Sequence, residues 1–251
     1  MSHEADHGAG STGSDGRLLW GERTREEFAA LADGRAVVLV PVGATEQHGL
    51  HLPVDVDCRT AWDAALGAAR LASAPVLVTP ALWATISPHH MPFAGTISLT
   101  LETFCRLLGD LCTSITAHGF ERILFVNGHG GNRDALGAAT LELRHRLQRQ
   151  IHAVSWFDLV RDVMDDLREG PGDDIGHSGE LETSVVLHLA PQTVRADREE
   201  LVEGITDDPK RATPEKGATL MSAACERLAA LVADLHERPG REITGIEMVE
   251  R

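Results

Sequence analysis

The chain has 251 residues, 43% hydrophobic and 24% charged, with a net charge of −15, a size and balance that suit one large α/β domain with its own core. That acidity excludes nucleic acid, whose phosphates need a basic patch, and anionic membrane surfaces. No apolar run reaches the length of a membrane span.

Residues 1–16 (MSHEADHGAGSTGSDG) are polar and Gly/Ser-rich, with no basic or apolar signal region. They read as a disordered tail ahead of a single hydrolytic domain over 17–251. The four cysteines, Cys58, Cys105, Cys112 and Cys225, form no CxxC pair. Neither a zinc ribbon nor a disulfide framework is expected, and the compartment reads as reducing cytoplasm. Residues 36–41 (AVVLVP) form the continuous β-branched run of a strand buried on both faces. Asp57 is placed to cap a helix over 57–71, and 76–80 (VLVTP) reads as a second strand. An amphipathic helix is expected over 100–118, stopped by Gly119. A third strand over 122–126 leads through the turn Asn127-Gly-His-Gly-Gly-Asn132 into a helix over 133–150, with a fourth strand at 151–157. Beyond the acidic, Gly/Pro-punctuated stretch 169–176, a helix includes 180–189 and ends before Pro191. Residues 197–216 are charged and irregular, and a last helix runs to about His236.

Strands alternating with helices predict a three-layer, doubly wound α/β fold: a mostly parallel sheet with helices on both faces. Loops leaving the carboxyl ends of such strands converge on one crevice. The chain has thirteen histidines and no tyrosine. Seven (His3, His7, His118, His145, His152, His188, His236) lie in the tail or in regular elements and read as surface or satisfied core groups. The other six fall in four Gly/Pro-rich segments, two of them directly after strands.

The first, GATEQHGLHLPVDVD, spans residues 43–57. Glu46 and His48 are two apart and project to one side of extended backbone, and Pro53 bends the chain so that Asp57 returns towards them. Carboxylate plus imidazole suits zinc, manganese or iron, and Asp57 can bridge two ions. The plain alternative is a solvated acidic loop. In the second, Asn127–Asn132, glycines allow a ligand close to the main chain, and His129 can ligate metal. Phosphate at the helix N-terminus is the weaker reading, since GxxxxGK[ST] and GxGxxG are absent. In the third, HSGELETS, Glu180 and Ser184 share a helix face and Glu182 lies on another. A carboxylate there, before Val185-Val-Leu, needs a partner or a metal, unless it only complements the helix dipole. His177 could be a ligand, an acid/base or a plain loop residue. In the fourth, His89 and His90 line the pocket, meet a neighbouring subunit or face solvent. Trp83 and Trp156 are pocket walls or core, and Cys58 lacks a Cys–His arrangement that would make it a nucleophile.

Taken in order, GATEQHGLHLPVDVD, HHMPFAGTISL, LFVNGHGGN and HSGELETS resemble the creatininase (creatinine amidohydrolase) family over residues 37–191. The resemblance implies a three-layer α/β fold, two divalent metal ions per chain (zinc, manganese or iron) and a homo-oligomer, often a hexamer. It also implies hydrolysis of a small-molecule, non-peptide amide by a metal-activated water. Glu46 and His129 resemble ligands of one ion, His48 a ligand of the other, Asp57 the bridge, and His177 the catalytic acid/base. His90, Gly130, Gly131 and Asn132 are expected at the substrate. Three positions depart from the members that hydrolyse creatinine. Gly131 stands where they carry a glutamate ligand, Gly130 lacks their bulky aromatic residue, and Asp173 replaces a substrate-covering Trp. Glu182 is the candidate for the missing carboxylate, with Glu180 as fallback. Other relatives open a formamide or trim a modified peptide in mycofactocin maturation, and a metal-binding regulator without activity is a further reading.

Overall fold

A computed structural model describes residues 17–31, 35–172 and 174–240. The expected tail over 1–16 and Asp173 lie outside the described residues. In chain order the elements are α1 (Arg25–Leu31), β1 (Val37–Val42), α2 (Val56–Leu71), β2 (Val76–Val78), α3 (Leu101–Ala117) and β3 (Arg122–Asn127). They continue as α4 (Arg133–Leu147), β4 (Gln150–Ser155), α5 (Arg161–Leu167), α6 (Glu180–Leu189) and α7 (Pro214–Glu237). The four strands form one sheet in the order β2-β1-β3-β4, and every pairing is parallel.

Alternation along β1 sorts the core into two layers. Val37 and Leu39, with Leu124 and Val126 of β3, pack against Ala64 and Ala68 of α2 and Leu220, Ala224 and Leu228 of α7. Val38, Val40 and Val42, with Ile123 and Phe125, pack against Phe104 and Leu108 of α3 and Leu136 and Leu143 of α4. Each fully buried Val, Leu, Ile or Phe side chain among them contributes about 1.5–3 kcal/mol. Because strands buried on both faces have no polar side to alternate with, β1 and β3 read as unbroken apolar runs.

Helix α2 crosses from β1 to β2 over one face, whereas α3 and α4 lie on the other. The winding direction therefore reverses between β1 and β3, the topological switch point where loops at the carboxyl ends open a crevice. Both His-bearing loops that follow strands leave the sheet there.

Several boundaries differ from expectation. Helix α2 begins at Val56, so Asp57 lies inside its first turn and caps nothing; its carboxylate is turned to the imidazoles described below. Strand β2 stops at Val78, and the Trp156–Val160 stretch after β4 is a 3-10 turn. Helix α4 ends at Leu147 because Gln148 adopts a left-handed conformation (φ 53°). Helices α1 and α5, seven residues each, are too short to give a periodic signal. Among the described residues no helix is long and apolar enough to cross a membrane.

Candidate metal centre

Val42 and Asn127 are the last paired residues of β1 and β3, so the loops that follow them leave side by side. A Cβ on Gly43 would lie 2.3 Å from the backbone nitrogen of Cys58, and one on Gly128 2.3 Å from the carbonyl oxygen of Asp57. Only glycine at both positions lets α2 seat its first turn on the strand ends. That seating carries Asp57, 2% exposed, to the middle of the crevice.

Asp57 divides its two oxygens. Oδ1 lies 3.2 Å from His48 Nε2, which is 3.6 Å from Glu182 Oε2. Oδ2 lies 3.1 Å from His129 Nδ1, which is 3.2 Å from Glu46 Oε1. Two donor sets, His48–Asp57–Glu182 and Glu46–Asp57–His129, thus share one carboxylate, and all five residues are buried. The backbone orients both rings from behind: His48 Nδ1–H donates to the Glu46 carbonyl at 3.1 Å, and His129 Nε2–H to the Ile86 carbonyl at 3.1 Å. Each imidazole therefore turns its other nitrogen to the carboxylates, an arrangement typical of metal-ligating histidine. Glu46 and His48, expected on one side, instead face opposite oxygens of Asp57.

Both oxygens of Glu46, Oδ2 of Asp57 and Nε2 of His48 are buried without a hydrogen bond. Leaving such groups unpaired is costly, and three carboxylates close together demand positive charge. The imidazoles register that demand. Burial depresses them, yet Glu182 and Asp57 hold His48 well above 6.5, and Asp57 and Glu46 push His129 up to about 10. Burial works to raise Asp57, but His48 and His129 hold it far below the usual carboxylate range. The donor set fits a divalent cation of hard or borderline character.

His177 lies beside this cluster, its Nδ1 3.5 Å from Glu46 Oε1. Its ring stacks on His90 at 4.3 Å and meets His48 at 4.4 Å. Burial lowers His177 below 6.5 and His90 to about 4, so both are neutral at pH 7. A cavity of about 260 Å³ opens over the cluster, lined by Asp57, His129, Gly130, Phe157, His177 and Glu182 among others. Gly130 borders open space there. At Gly131 a Cβ would lie 2.5 Å from His129 Nε2 and 3.0 Å from His89 Cε1; the space a side chain would take is already filled by imidazole.

Two expected residues have other surroundings. Asn132 is fully buried, and its amide donates to the Gly43 carbonyl at 3.0 Å and Asn127 Oδ1 at 3.2 Å, bracing the two strand ends against each other. Glu180 points away from the cavity: it accepts from the backbone nitrogens of Glu169 and Gly170 and pairs with Lys216 at 2.7 Å. Cys58 donates its S–H to the Ala44 carbonyl at 3.3 Å, and burial pushes the thiol up to about 12. Trp156 is core, whereas Trp83 is exposed on an apolar cleft away from the cluster.

Sequence reasoning passed over three groups that hold the site together. Gln47 contacts His90 and His177. His51 Nε2 bonds Thr183 Oγ1 at 2.9 Å, tying the loop after β1 to α6. Asp207 accepts from the Glu180 nitrogen at 2.6 Å at the start of α6, although it sits in a stretch read only as charged and irregular. Nothing in the local pattern marks Asp207, because its partner is 27 residues away.

The creatininase family model, described as creatinine amidohydrolase, matches residues 21–232. The chain belongs to this family. Its curated relatives include the mycofactocin precursor peptide peptidase of Mycobacterium tuberculosis strain H37Rv, 38% identical over 169 residues, which are 64% of this chain and 61% of that protein. The chain therefore spans about three-fifths of the length of the mycobacterial relative it matches. Creatinine amidohydrolase of Pseudomonas putida is 33% identical over 214 residues, 79% of this chain and 78% of that one. A solved structure described as "Creatininase Mn" matches with a TM-score of 0.74 and 28% identity, covering 88% of this chain and 99% of its own. The creatininase-family fold, a parallel sheet flanked by helices, is thus the architecture described above.

Proposed function

We propose that this creatininase-family chain hydrolyses a carbon–nitrogen bond of a small non-peptide amide with the help of two divalent ions. Glu46, Asp57 and His129 would hold one ion and His48, Asp57 and Glu182 the other. The observation that carries the reading is Asp57, whose two oxygens each face a separate imidazole–carboxylate pair while neighbouring oxygens have no hydrogen-bond partner. Bound there, such ions supply Lewis acidity to an amide carbonyl and make water easier to ionise.

The remaining work falls to side chains. His177, neutral at pH 7, presents Nδ1 next to Glu46; it takes a proton from the attacking water and returns it to the leaving nitrogen, a role worth about 10²–10⁴-fold. Phe157 and Ile175 give the cavity an apolar wall. None of the described lining residues is Lys or Arg, which favours a neutral amide over an anionic one. The crowding at Gly131 disfavours creatinine, since it leaves no room for the glutamate of creatinine-hydrolysing members.

A second reading, trimming of a modified peptide, is favoured by the 38% identity to the mycofactocin precursor peptidase and by the open space beside Gly130. Zinc, manganese or iron all suit the donor set. A homo-oligomer, a hexamer by family resemblance, would cover exposed apolar residues such as Trp83 and Leu101, and the cytoplasm is the proposed compartment. The test is elemental analysis of the purified protein together with a screen of creatinine, hydantoins, lactams, formamides and short peptides. More than one divalent equivalent per chain is expected, with one amide class turned over and chelator abolishing turnover. Metal-free protein that is still active would sink the reading.

A further inference from the structure

The hydrogens around Gln47 can be placed one at a time. Oε1 of its side chain lies 2.8 Å from the backbone nitrogen of Gly49. A backbone N–H only donates, so the amide orientation is fixed and Nε2 is the opposite branch. Nε2 has two hydrogens and three neighbours: the Gly204 carbonyl at 2.6 Å, His90 Nδ1 at 2.9 Å and His177 Nε2 at 3.1 Å. The Gly204 carbonyl only accepts, so it takes one hydrogen.

His177 Nε2 also lies 2.8 Å from the backbone carbonyl of Gln47. A carbonyl has no hydrogen to give, so this imidazole nitrogen must carry one and cannot accept from the side-chain amide. The second amide hydrogen therefore goes to His90 Nδ1. Two tautomers follow. His90 bears its proton on Nε2, 3.7 Å from Glu46 Oε1. His177 has its lone pair on Nδ1, 3.5 Å from the same oxygen. The rings stack at 23° and turn opposite polarities towards one carboxylate.

We propose that Gln47 is a positioning residue that divides the labour of these two histidines. Its side-chain amide holds His90 as an N–H donor facing Glu46 beside His177, and its backbone carbonyl holds His177 as a proton acceptor. The catalytic meaning rests on the hydrolysis proposed above, in which His177 Nδ1 accepts the proton of water. His90 Nε2–H then hydrogen-bonds the substrate oxygen where negative charge develops, as a preorganised donor. The tautomers themselves do not depend on that reaction.

The test is nitrogen-15 NMR of the imidazoles in the full chain, metal-free and zinc-loaded, with long-range couplings reporting which ring nitrogen is protonated. In the wild type, His90 and His177 should each be protonated at Nε2 alone. Gln47→Glu replaces the side-chain donor with an acceptor of the same shape. The His90 proton should then move to Nδ1, while His177 stays as it was, because its partner is the main chain. A wild-type His90 protonated at Nδ1 overturns the proposal without any variant. So does a folded Gln47→Glu protein in which neither histidine changes or both do. Gln47→Met, which removes the donor without adding charge, should leave His90 without a single preferred tautomer, and a His90 held at Nε2–H in that variant counts against the proposal. If the protein proves unable to hold two ions or to cleave an amide, the function above fails, yet the metal-free spectra still decide the role of Gln47.

Discussion

Glu180 and Glu182 begin the same helix, and both are buried, but their surroundings have little in common. Glu180 has a partner for each oxygen: Lys216 at 2.7 Å and the backbone nitrogens of Glu169 and Gly170. Glu182 accepts from the Ser178 backbone nitrogen and turns the same oxygen to His48, beside Glu46 and Asp57, three of whose oxygens lack partners. The first carboxylate is a fastening: it ties α6 and α7 to the loop that leads into the site. The second belongs to a cluster that is electrostatically incomplete until a cation arrives. Burial alone therefore does not separate a structural acid from a working one; what separates them is the company each keeps, a lysine for Glu180 and, for Glu182, a histidine at the edge of unpaired carboxylate oxygens.

The sharpest way to break that contrast is Asp57→Ala. Removing the shared carboxylate should strip both ions, as read by elemental analysis, and reduce turnover on the order of 10³-fold. A variant that keeps its metal would show that Asp57 is not shared. The glutamate pair tests the contrast directly. Glu182→Gln should weaken binding of one ion by about 10²-fold in a metal titration. Glu180→Gln should leave both ions bound and instead cost about 1.5–3 kcal/mol of folding stability, since Lys216 loses one of its two carboxylate partners and keeps Glu169.

The pair should also differ in acid. Burial works to raise the Glu180 carboxyl, but Lys216 and the backbone donors outweigh it and hold it below 4.5. A depressed carboxylate stabilises the fold above its unfolded pKa, about 4.3, and that stability is lost as pH falls through the folded value. Melting temperature should therefore drop more steeply below about pH 4.3 in the wild type than in Glu180→Gln. The smallest expected effect is Cys58→Ala, within about 1 kcal/mol in stability and silent in turnover. Loss of activity there would call for a thiol mechanism.

The strands and the long helices were legible because burial on both faces leaves unbroken runs such as Val37–Val42, and because α3 carries a periodic apolar stripe. The motif residues were legible as well: Glu46, His48, Asp57, His129 and Glu182 all stand in short segments whose chemistry is local. The opposed facing of Glu46 and His48 was not, since it depends on two glycines that let α2 descend between the loops. Asp207 and His51 escaped for a related reason. Their partners, the Glu180 nitrogen and Thr183, are distant in the chain, and no spacing rule connects them. Gln47 lies within the first motif, yet its worth depends on which hydrogens its neighbours already hold.

The crowding around Gly131 also limits how this chain can change by mutation. A glutamate does not fit there by one substitution, because its Cβ would strike His129 Nε2 at 2.5 Å. That ring cannot step aside: Nε2 is bonded to Ile86 and Nδ1 faces Asp57. His89 closes the remaining side at 3.0 Å. Any path towards the ligand set of creatinine-hydrolysing relatives must first move the 86–90 segment, and a single-step intermediate would lose His129 before gaining a carboxylate. A library varying position 131 alone and selected for metal binding should therefore return glycine.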